Sequence, residues 1–124
     1  MANKIQCFED LVIWQKAIEF AKDVYVVTEK DGIAKDFGLK NQLRRAAVSI
    51  SNNIAEGFER RSRKEYLNFL NIAKGSAGES RNLLHIAQEV GYLNAEEHEQ
   101  LRGQARFLSG SITNHMISIA RLGD

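Results

Sequence analysis

Three histidines and one cysteine are the side chains best suited to metal binding or nucleophilic catalysis, and their spacing supports neither. His85, His98 and His115 form no Glu-x-x-His or His-x3-His pattern, so the ligand pairs of di-iron bundles and zinc sites are missing. Cys7 has no histidine near it in the sequence, and a single cysteine forms no internal disulfide. No Gly-x-x-x-x-Gly-Lys run is present to bind phosphate. We therefore predict no metal and no cofactor.

A cluster of polar residues is predicted between the second and third helices. Its members lie on faces that point away from the apolar stripes, and they are Ser49, Asn53, Glu56, Ser76 and Glu79. If the two faces meet, Glu56 and Glu79 share a partly buried site, where two carboxylates are able to do acid-base chemistry. The alternative is a structural network with Arg45 or Arg81 that fixes the helix register. No nucleophile or ligand set accompanies the carboxylates, so we favour the network and predict that the protein is not an enzyme.

Positive charge is concentrated in one part of the chain. Residues 35–64 contain eight basic and three acidic side chains, a net charge of +5, whereas the whole chain carries +1. The candidates for nucleic-acid contact are Arg44, Arg45, Arg60, Arg61, Arg63 and Lys64. Arg63 and Lys64 fall in the first turn of a helix, where the dipole opposes each positive charge by about 0.3–1 kcal/mol. Charge placed against this preference indicates a use such as phosphate contact, and the alternative is a solvated turn.

Four helices are predicted to position these residues. Apolar residues recur at a spacing of three or four within residues 10–30, 38–58, 63–90 and 95–122. The 124-residue chain contains no proline, whereas average usage would give about six. Because proline interrupts helices, its absence favours long, uninterrupted helices. The short connections favour antiparallel packing of successive helices. We predict a single all-α domain, an antiparallel up-down-up-down four-helix bundle.

The predicted helix ends carry local signals. Asp10 is the expected N-cap of the first helix, and Ser62, which opens a Ser-x-x-Glu capping box, is that of the third. Asn94, with Glu97 three residues later, is the expected N-cap of the fourth helix. Gly57 lies near the end of the second helix, where a C-terminal cap is common.

The helices contain more apolar positions than one bundle needs. For the first helix we assign the core stripe to Leu11, Trp14, Ile18, Ala21, Tyr25 and Thr28. The stripes of the other three helices are Leu43, Ala47, Ile50, Ile54 and Phe58; Tyr66, Phe69, Leu70, Ala73, Ala77, Leu84 and Ala87; and Leu101, Ala105, Leu108, Ile112, Met116 and Ile119. A second set of apolar and small residues is assigned to an outward surface, and its members are Ile13, Phe20, Val27, Val48, Ala55, Ile72, Leu83, Ile86 and Val90. Contiguous exposed apolar patches usually mark interfaces, so we predict a homo-oligomer. The alternative is scattered surface apolar residues, which are common.

Several strings in the chain resemble a known family. Residues 8–17 read FEDLVIWQKA, residues 44–57 read RRAAVSISNNIAEG, residues 62–66 read SRKEY, and GSA at 75–77 precedes GYL at 91–93. In this order they resemble the four-helix bundle proteins encoded within 23S ribosomal RNA intervening sequences. Ser51 stands where that family usually has proline, which implies a softer bend in the second helix.

The resemblance implies a cytosolic bundle that assembles into a ring-shaped homopentamer. It also implies a distant kinship with the accessory protein of diversity-generating retroelements, a basic pentamer held to bind nucleic acid and a reverse transcriptase. The biochemical role of the intervening-sequence family is not established, so the resemblance supplies an architecture rather than an activity.

Two classes of function follow from these observations. The first is a non-enzymatic oligomer that contacts RNA or an RNA–protein complex through the basic turn. The second is a purely structural or protein-binding homo-oligomer with no nucleic-acid contact. The single cysteine suits a reducing cytoplasm, and neither a signal-peptide pattern nor an apolar run of 18 residues is visible. We predict a cytoplasmic protein whose partners are itself and RNA or an RNA-binding protein, with no membrane contact.

Overall fold

Four long helices form the fold in the computed structural model, which describes residues 4–122. The helices are α1 (Val12–Val27), α2 (Phe37–Phe58), α3 (Arg63–Glu89) and α4 (Ala95–Arg121). Short 3-10 turns at Phe8–Asp10 and Ile33–Lys35 precede α1 and α2. Residues 4–122 contain no strand, so the predicted all-α class is confirmed. None of the helices described has the length and hydropathy needed to cross a bilayer.

Side chains cap the N-termini of three helices. Asp36 accepts the Leu39 N–H at 3.1 Å and caps α2, and Ser62 accepts the Glu65 N–H at 3.1 Å and caps α3. Asn94 begins α4 with a reciprocal pair of bonds, because its side chain accepts the Glu97 N–H at 2.8 Å while the Glu97 carboxylate accepts the Asn94 N–H at 3.0 Å. These bonds satisfy backbone donors that lack partners within the helix. The predictions for Ser62 and Asn94 are confirmed.

Two other predicted cap residues, Asp10 and Gly57, are wrong. Asp10 ends the first 3-10 turn, where its carboxylate accepts the Gln6 N–H at 3.0 Å, and Leu11 precedes α1. Gly57 lies inside α2, which continues to Phe58. A Cβ atom at residue 57 would lie only 2.7 Å from the Phe69 Cβ atom. Gly57 therefore permits a close approach of α2 and α3 instead of ending a helix.

The contacts between helices are those expected of an up-down-up-down order. α1 packs on α2 and α4, α2 packs on α3, and α3 packs on α4. Tyr66, near the start of α3, bonds to His115, near the end of α4, with a distance of 2.7 Å. Lys30, which follows α1, forms an ion pair of 2.5 Å with Glu97 at the start of α4. Each of these contacts places the end of one helix beside the start of its neighbour.

The core runs the length of the bundle. Its largest fully buried apolar side chains are Phe20, Val24, Ile33, Leu43, Ile50, Ile54, Leu70, Leu84, Leu108 and Ile112. Burial of one such side chain stabilises the fold by about 1.5–3 kcal/mol relative to exposure. The predicted core stripes of α2, α3 and α4 supply most of these residues, and the stripe on α1 does not.

The buried face of α1 differs from the prediction. Ile13, Phe20 and Val27 are buried within the protomer, and Phe20 is 0% exposed. Leu11, Ala21 and Thr28 of the assigned stripe are buried as predicted, whereas Ile18 and Tyr25 are 41% and 45% exposed. The centre of the buried face is therefore rotated around the helix from the assigned stripe, toward Phe20. The prediction that Ile13, Phe20 and Val27 form an outward oligomer surface is therefore wrong.

The loop before α2 and the turn after α3 are bonded to each other. The Tyr92 hydroxyl donates to the Asp36 carboxylate at 3.0 Å, and this bond raises the pKa of Tyr92. The same carboxylate caps α2 through the Leu39 N–H. Gly32 has a φ of +95°, which favours glycine, and a Cβ atom there would lie 3.2 Å from the Tyr92 ring. One acidic side chain thus joins two connections at the same end of the bundle.

Candidate interaction surfaces

The first cation of the basic turn is held by its neighbours. The Arg60 guanidinium bonds to the Glu56 carboxylate at 2.8 Å and lies 3.8 Å from the Glu65 carboxylate. It also stacks over the Phe69 ring at 4.8 Å from the centroid. These contacts fix Arg60 between the end of α2 and the start of α3, and much of its charge is neutralised.

The other cations of the turn extend the positive surface. Arg61 and Lys64 are exposed, and Arg63 is half-buried. Ser62 caps α3 between them, so the partial positive charge of that helix terminus adds to the field of the side chains. Arg61 and Lys64 are the members of this group best placed to reach a phosphate.

Arg44 ties α2 to the end of α1. Its Nε atom donates to the Thr28 hydroxyl at 2.8 Å, and its Nη2 atom donates to the Glu29 carboxylate at 2.9 Å. The guanidinium also lies 4.3 Å from the centroid of the Tyr25 ring, and the side chain is only 18% exposed. Because these contacts and its burial hold the guanidinium against the end of α1, Arg44 leaves the set of RNA-contact candidates. Arg45, the next residue, is exposed and stays in that set.

Three members of the predicted polar cluster meet between α2 and α3. Ser76 donates to the Ser49 hydroxyl at 2.9 Å, and the Asn53 amide donates to the Ser49 hydroxyl at 2.9 Å and to its carbonyl at 2.8 Å. The two carboxylates lie outside this network, since Glu56 pairs with Arg60 and Glu79 is exposed. The cluster is therefore a register-fixing network of hydroxyl and amide groups, without the paired carboxylates that acid-base chemistry requires.

The histidines contact aromatic and acidic neighbours on α3 and α4. The Tyr66 hydroxyl bonds to His115, and burial lowers the pKa of His115 and raises the pKa of Tyr66 to about 12. His98 is buried and packs edge-on against His85, with 5.8 Å between centroids, while His85 lies 3.5 Å from the Glu89 carboxylate. Within the part of the chain that the structure describes, no three His, Cys, Asp or Glu side chains are grouped to hold a metal ion.

Cys7 lies in an environment that disfavours its thiolate. Partial burial and the carboxylates of Glu9 and Asp10 raise the pKa of the Cys7 thiol. A thiol is nucleophilic and ligates metals mainly as the thiolate, so this environment opposes both roles.

One exposed apolar surface lies on α3. Ile72, Ile86 and Val90 are exposed, as predicted, whereas Leu83, which was assigned with them, is buried. The α2 candidates Val48 and Ala55 are half-buried, and Val48 packs against the core. We name Ile72, Ile86 and Val90 the α3 ridge.

A second apolar surface is the groove between α1 and α4. It contains two hollows of about 340 and 380 Å³ with mixed linings. Phe107 and Leu108 line the first together with Lys16, Glu19 and Gln104, and Val26, Val27 and Leu101 line the second together with Asp23, Lys30, Glu97 and Gln100. Phe107 is 56% exposed and Val26 is exposed as well. Gly103 lies on the same face of α4 as Phe107, and a Cβ atom there would meet no atom within 4 Å. Packing within the protomer therefore does not require glycine at position 103.

The residues predicted to contact RNA or another protomer did not include Phe37, Val26 or Phe107. Phe37 is the first residue of α2 and is 66% exposed, and the Lys40 ammonium lies 4.9 Å from its ring centroid. The available sequence signal was the position of this aromatic residue between Lys35 and Lys40.

The fold and these surfaces define an all-α bundle with charged and apolar surfaces suited to binding other molecules. A family model matches residues 9–114, and the chain belongs to that family, the 23S rRNA-intervening sequence proteins. The resemblance of the sequence strings is thereby confirmed. No curated protein matches the chain.

A solved structure supports the same assignment. It is the 1.70 Å crystal structure of a protein of unknown function from the S23 ribosomal protein family of Bacteroides thetaiotaomicron VPI-5482. It is 26% identical to this chain and superposes with a TM-score of 0.78, covering 85% of this chain and 98% of that one. The likeness establishes the architecture and leaves the activity of both proteins open.

Proposed function

We propose that this protein is a non-enzymatic, cytoplasmic homo-oligomer, most simply a pentameric ring, whose basic turns contact RNA or an RNA–protein complex. The observation that carries the proposal is the presence of two different exposed apolar surfaces on one protomer, the α3 ridge and the α1–α4 groove. The basic turn is a third and separate surface, so assembly leaves it accessible.

Two unlike apolar surfaces favour a ring over a two-fold dimer. α1 and α3 each pack on α2 and α4, and they are therefore diagonal to each other in the bundle. A contact between the ridge of one copy and the groove of the next joins different surfaces, and such a heterologous contact closes into a ring or grows into a filament. The number five comes from the resemblance to the intervening-sequence family.

The ring would multiply a weak RNA contact. Arg61 and Lys64 give each protomer two exposed cations, which bind phosphate weakly on their own. When one protomer of the assembly has bound an RNA, its neighbours meet the same RNA at a high effective concentration. The assembly therefore binds RNA more tightly than one protomer does. A near-neutral chain is thus able to bind RNA through local charge.

Light scattering on two α3 variants tests the assembly. Wild type should give a mass several times 14.0 kDa. Ile86→Asp, which places a charge on the α3 ridge, should lower the mass to that of the monomer while helical circular dichroism is retained. Asn71→Asp adds the same charge at an exposed position of α3, about 100° around the helix from Ile72, and should leave the mass unchanged. A monomeric wild type would contradict the proposal.

Filter binding at two salt concentrations tests the RNA contact. Replacing Arg61 and Lys64 with alanine should weaken binding and flatten the salt dependence, because phosphate contacts set that slope. Replacing the exposed Lys22 and Lys74 instead removes the same charge elsewhere and should have a smaller effect. If wild type assembles and binds no RNA at low salt, the purely structural or protein-binding assembly is the function that stands.

A further inference from the structure

We propose that the exposed Phe37 ring, beside Lys40 at the start of α2, is a stacking site for a base of single-stranded RNA. The inference rests on the proposed RNA contact and adds a second point of recognition at the opposite end of α2 from the basic turn. It specifies the form of RNA, because a base must be unpaired to stack on a side chain.

The geometry at Phe37 suits a base and its phosphate. The ring is 66% exposed, more than other aromatic side chains in residues 4–122. The Lys40 ammonium lies 4.9 Å from the ring centroid and donates to the Ala34 carbonyl at 3.1 Å, which holds the cation beside the ring. Lys35 is exposed in the preceding 3-10 turn. An aromatic face among ordered cations is the arrangement that sequence-tolerant single-strand binding uses.

Two carboxylates close to this site are engaged within the protein. Asp36 keeps its negative charge while it accepts the Leu39 N–H and the Tyr92 hydroxyl. Glu29 is paired with Arg44 at 2.9 Å. Asp31 is exposed in the same loop, so the site offers an aromatic ring with two cations close by, Lys35 and Lys40, and not a uniformly positive surface.

The outer face of α2 extends the site toward the basic turn. From Phe37 to Ala55 the helix contains no acidic residue, and its exposed side chains include Asn41, Arg45 and Asn52. Asn41 and Arg45 follow Phe37 at intervals of four, so the three share one face. The 22 residues of α2 span about 33 Å, and exposed Glu56 and Glu59 lie between Asn52 and Arg61. The face without acidic residues therefore belongs to the Phe37 end of the helix.

The test measures binding of a 12-nucleotide uridine RNA that contains one 2-aminopurine. Base–aromatic stacking of about 1–3 kcal/mol corresponds to an affinity loss of roughly 5- to 100-fold on removal. Phe37→Ala and Phe37→Leu should both show that loss, together with loss of the 2-aminopurine quenching. Phe37→Trp, which keeps an aromatic face, should bind at least as tightly as wild type. A 12-base-pair RNA duplex should bind all four proteins equally.

The outcomes separate this inference from the proposed function. If wild type binds the single strand and the Arg61 and Lys64 double variant is impaired, while Phe37→Ala binds normally, the stacking site is wrong and the basic turn stands. Loss of duplex binding in Phe37→Ala would also overturn stacking. A changed oligomer mass in Phe37→Ala with unchanged RNA affinity would make Phe37 a protein contact. If wild type binds neither RNA, both proposals fail.

Discussion

The close approach of α2 and α3 at Gly57 makes one substitution unusually informative. A Cβ atom at this position would lie 2.7 Å from the Phe69 Cβ and 3.0 Å from the Tyr66 ring, whereas carbon atoms in contact prefer about 3.5–4.0 Å. The Phe69 Cβ is fixed to its backbone and cannot move away as a flexible side-chain tip would. Gly57→Ala must therefore push the two helices apart by nearly 1 Å.

The expected magnitude is the difference between two opposing effects. Overpacking of this kind costs about 1–3 kcal/mol. Alanine in place of glycine within a helix returns about 0.5–1 kcal/mol. The free energy of unfolding should therefore fall by up to about 2.5 kcal/mol, which for a chain of this size lowers Tm by up to roughly 10 °C.

Gly75→Ala is the matched control, because Gly75 lies inside α3 and a Cβ atom there would meet nothing within 4 Å. Only the helix-propensity gain applies, so its Tm should rise by a few degrees. Differential scanning calorimetry of the two variants at equal concentration measures both shifts. If Gly57→Ala raises Tm as Gly75→Ala does, the helices do not approach closely at residue 57 and this reasoning is refuted.

Three further predictions concern the core and the buried hydroxyl. In urea titrations, Phe20→Ala should lower the free energy of unfolding by about 3–5 kcal/mol, whereas Ile18→Ala should lower it by under about 1 kcal/mol. Equal losses in the two variants would contradict the observed buried face of α1. Ile50→Asp, which buries an unpaired charge, should abolish the folded circular-dichroism signal, and a wild-type melting curve would place Ile50 at the surface. Stability should fall between pH 10 and about 12, because unfolded Tyr66 loses its proton at pKa 10.0 while the pKa of folded Tyr66 is about 12. Tyr66→Phe should lack that part of the alkaline loss, and identical alkaline profiles would contradict it.

Two helix caps and three of the four buried faces could be predicted because their signals are local. Ser62 and Asn94 bond to backbone groups three residues away, so the sequence contains both partners. The face of α1 could not be predicted in the same way. Ile13 and Trp14 are adjacent and both apolar, and contact with α2 and α4 decides between the two stripes.

The candidate sites were predictable only where both partners lie close in the sequence. Glu56 and Arg60 are four residues apart in one helical pattern, so their ion pair was available from the sequence, although the carboxylate was first assigned to a polar cluster. Arg44 and Arg45 are adjacent arginines, and the sequence alone does not distinguish their roles. Their different roles depend on Thr28, which is distant in sequence and meets only Arg44 after the helices pack.

The bond between Tyr92 and Asp36 has a consequence for tagging the protein. An insertion beside Asp36 in the loop before α2 would disturb both that bond and the cap of α2, whereas one in the turn after α3 would separate only Tyr92 from Asp36. The contacts of Arg60 at the opposite turn are local, to Glu56 and Glu65. Exposed turns with local contacts tolerate inserted sequence best. A peptide tag placed after Arg61 would thus preserve the bundle while covering its basic turn, giving a folded form suited to blocking experiments in cells.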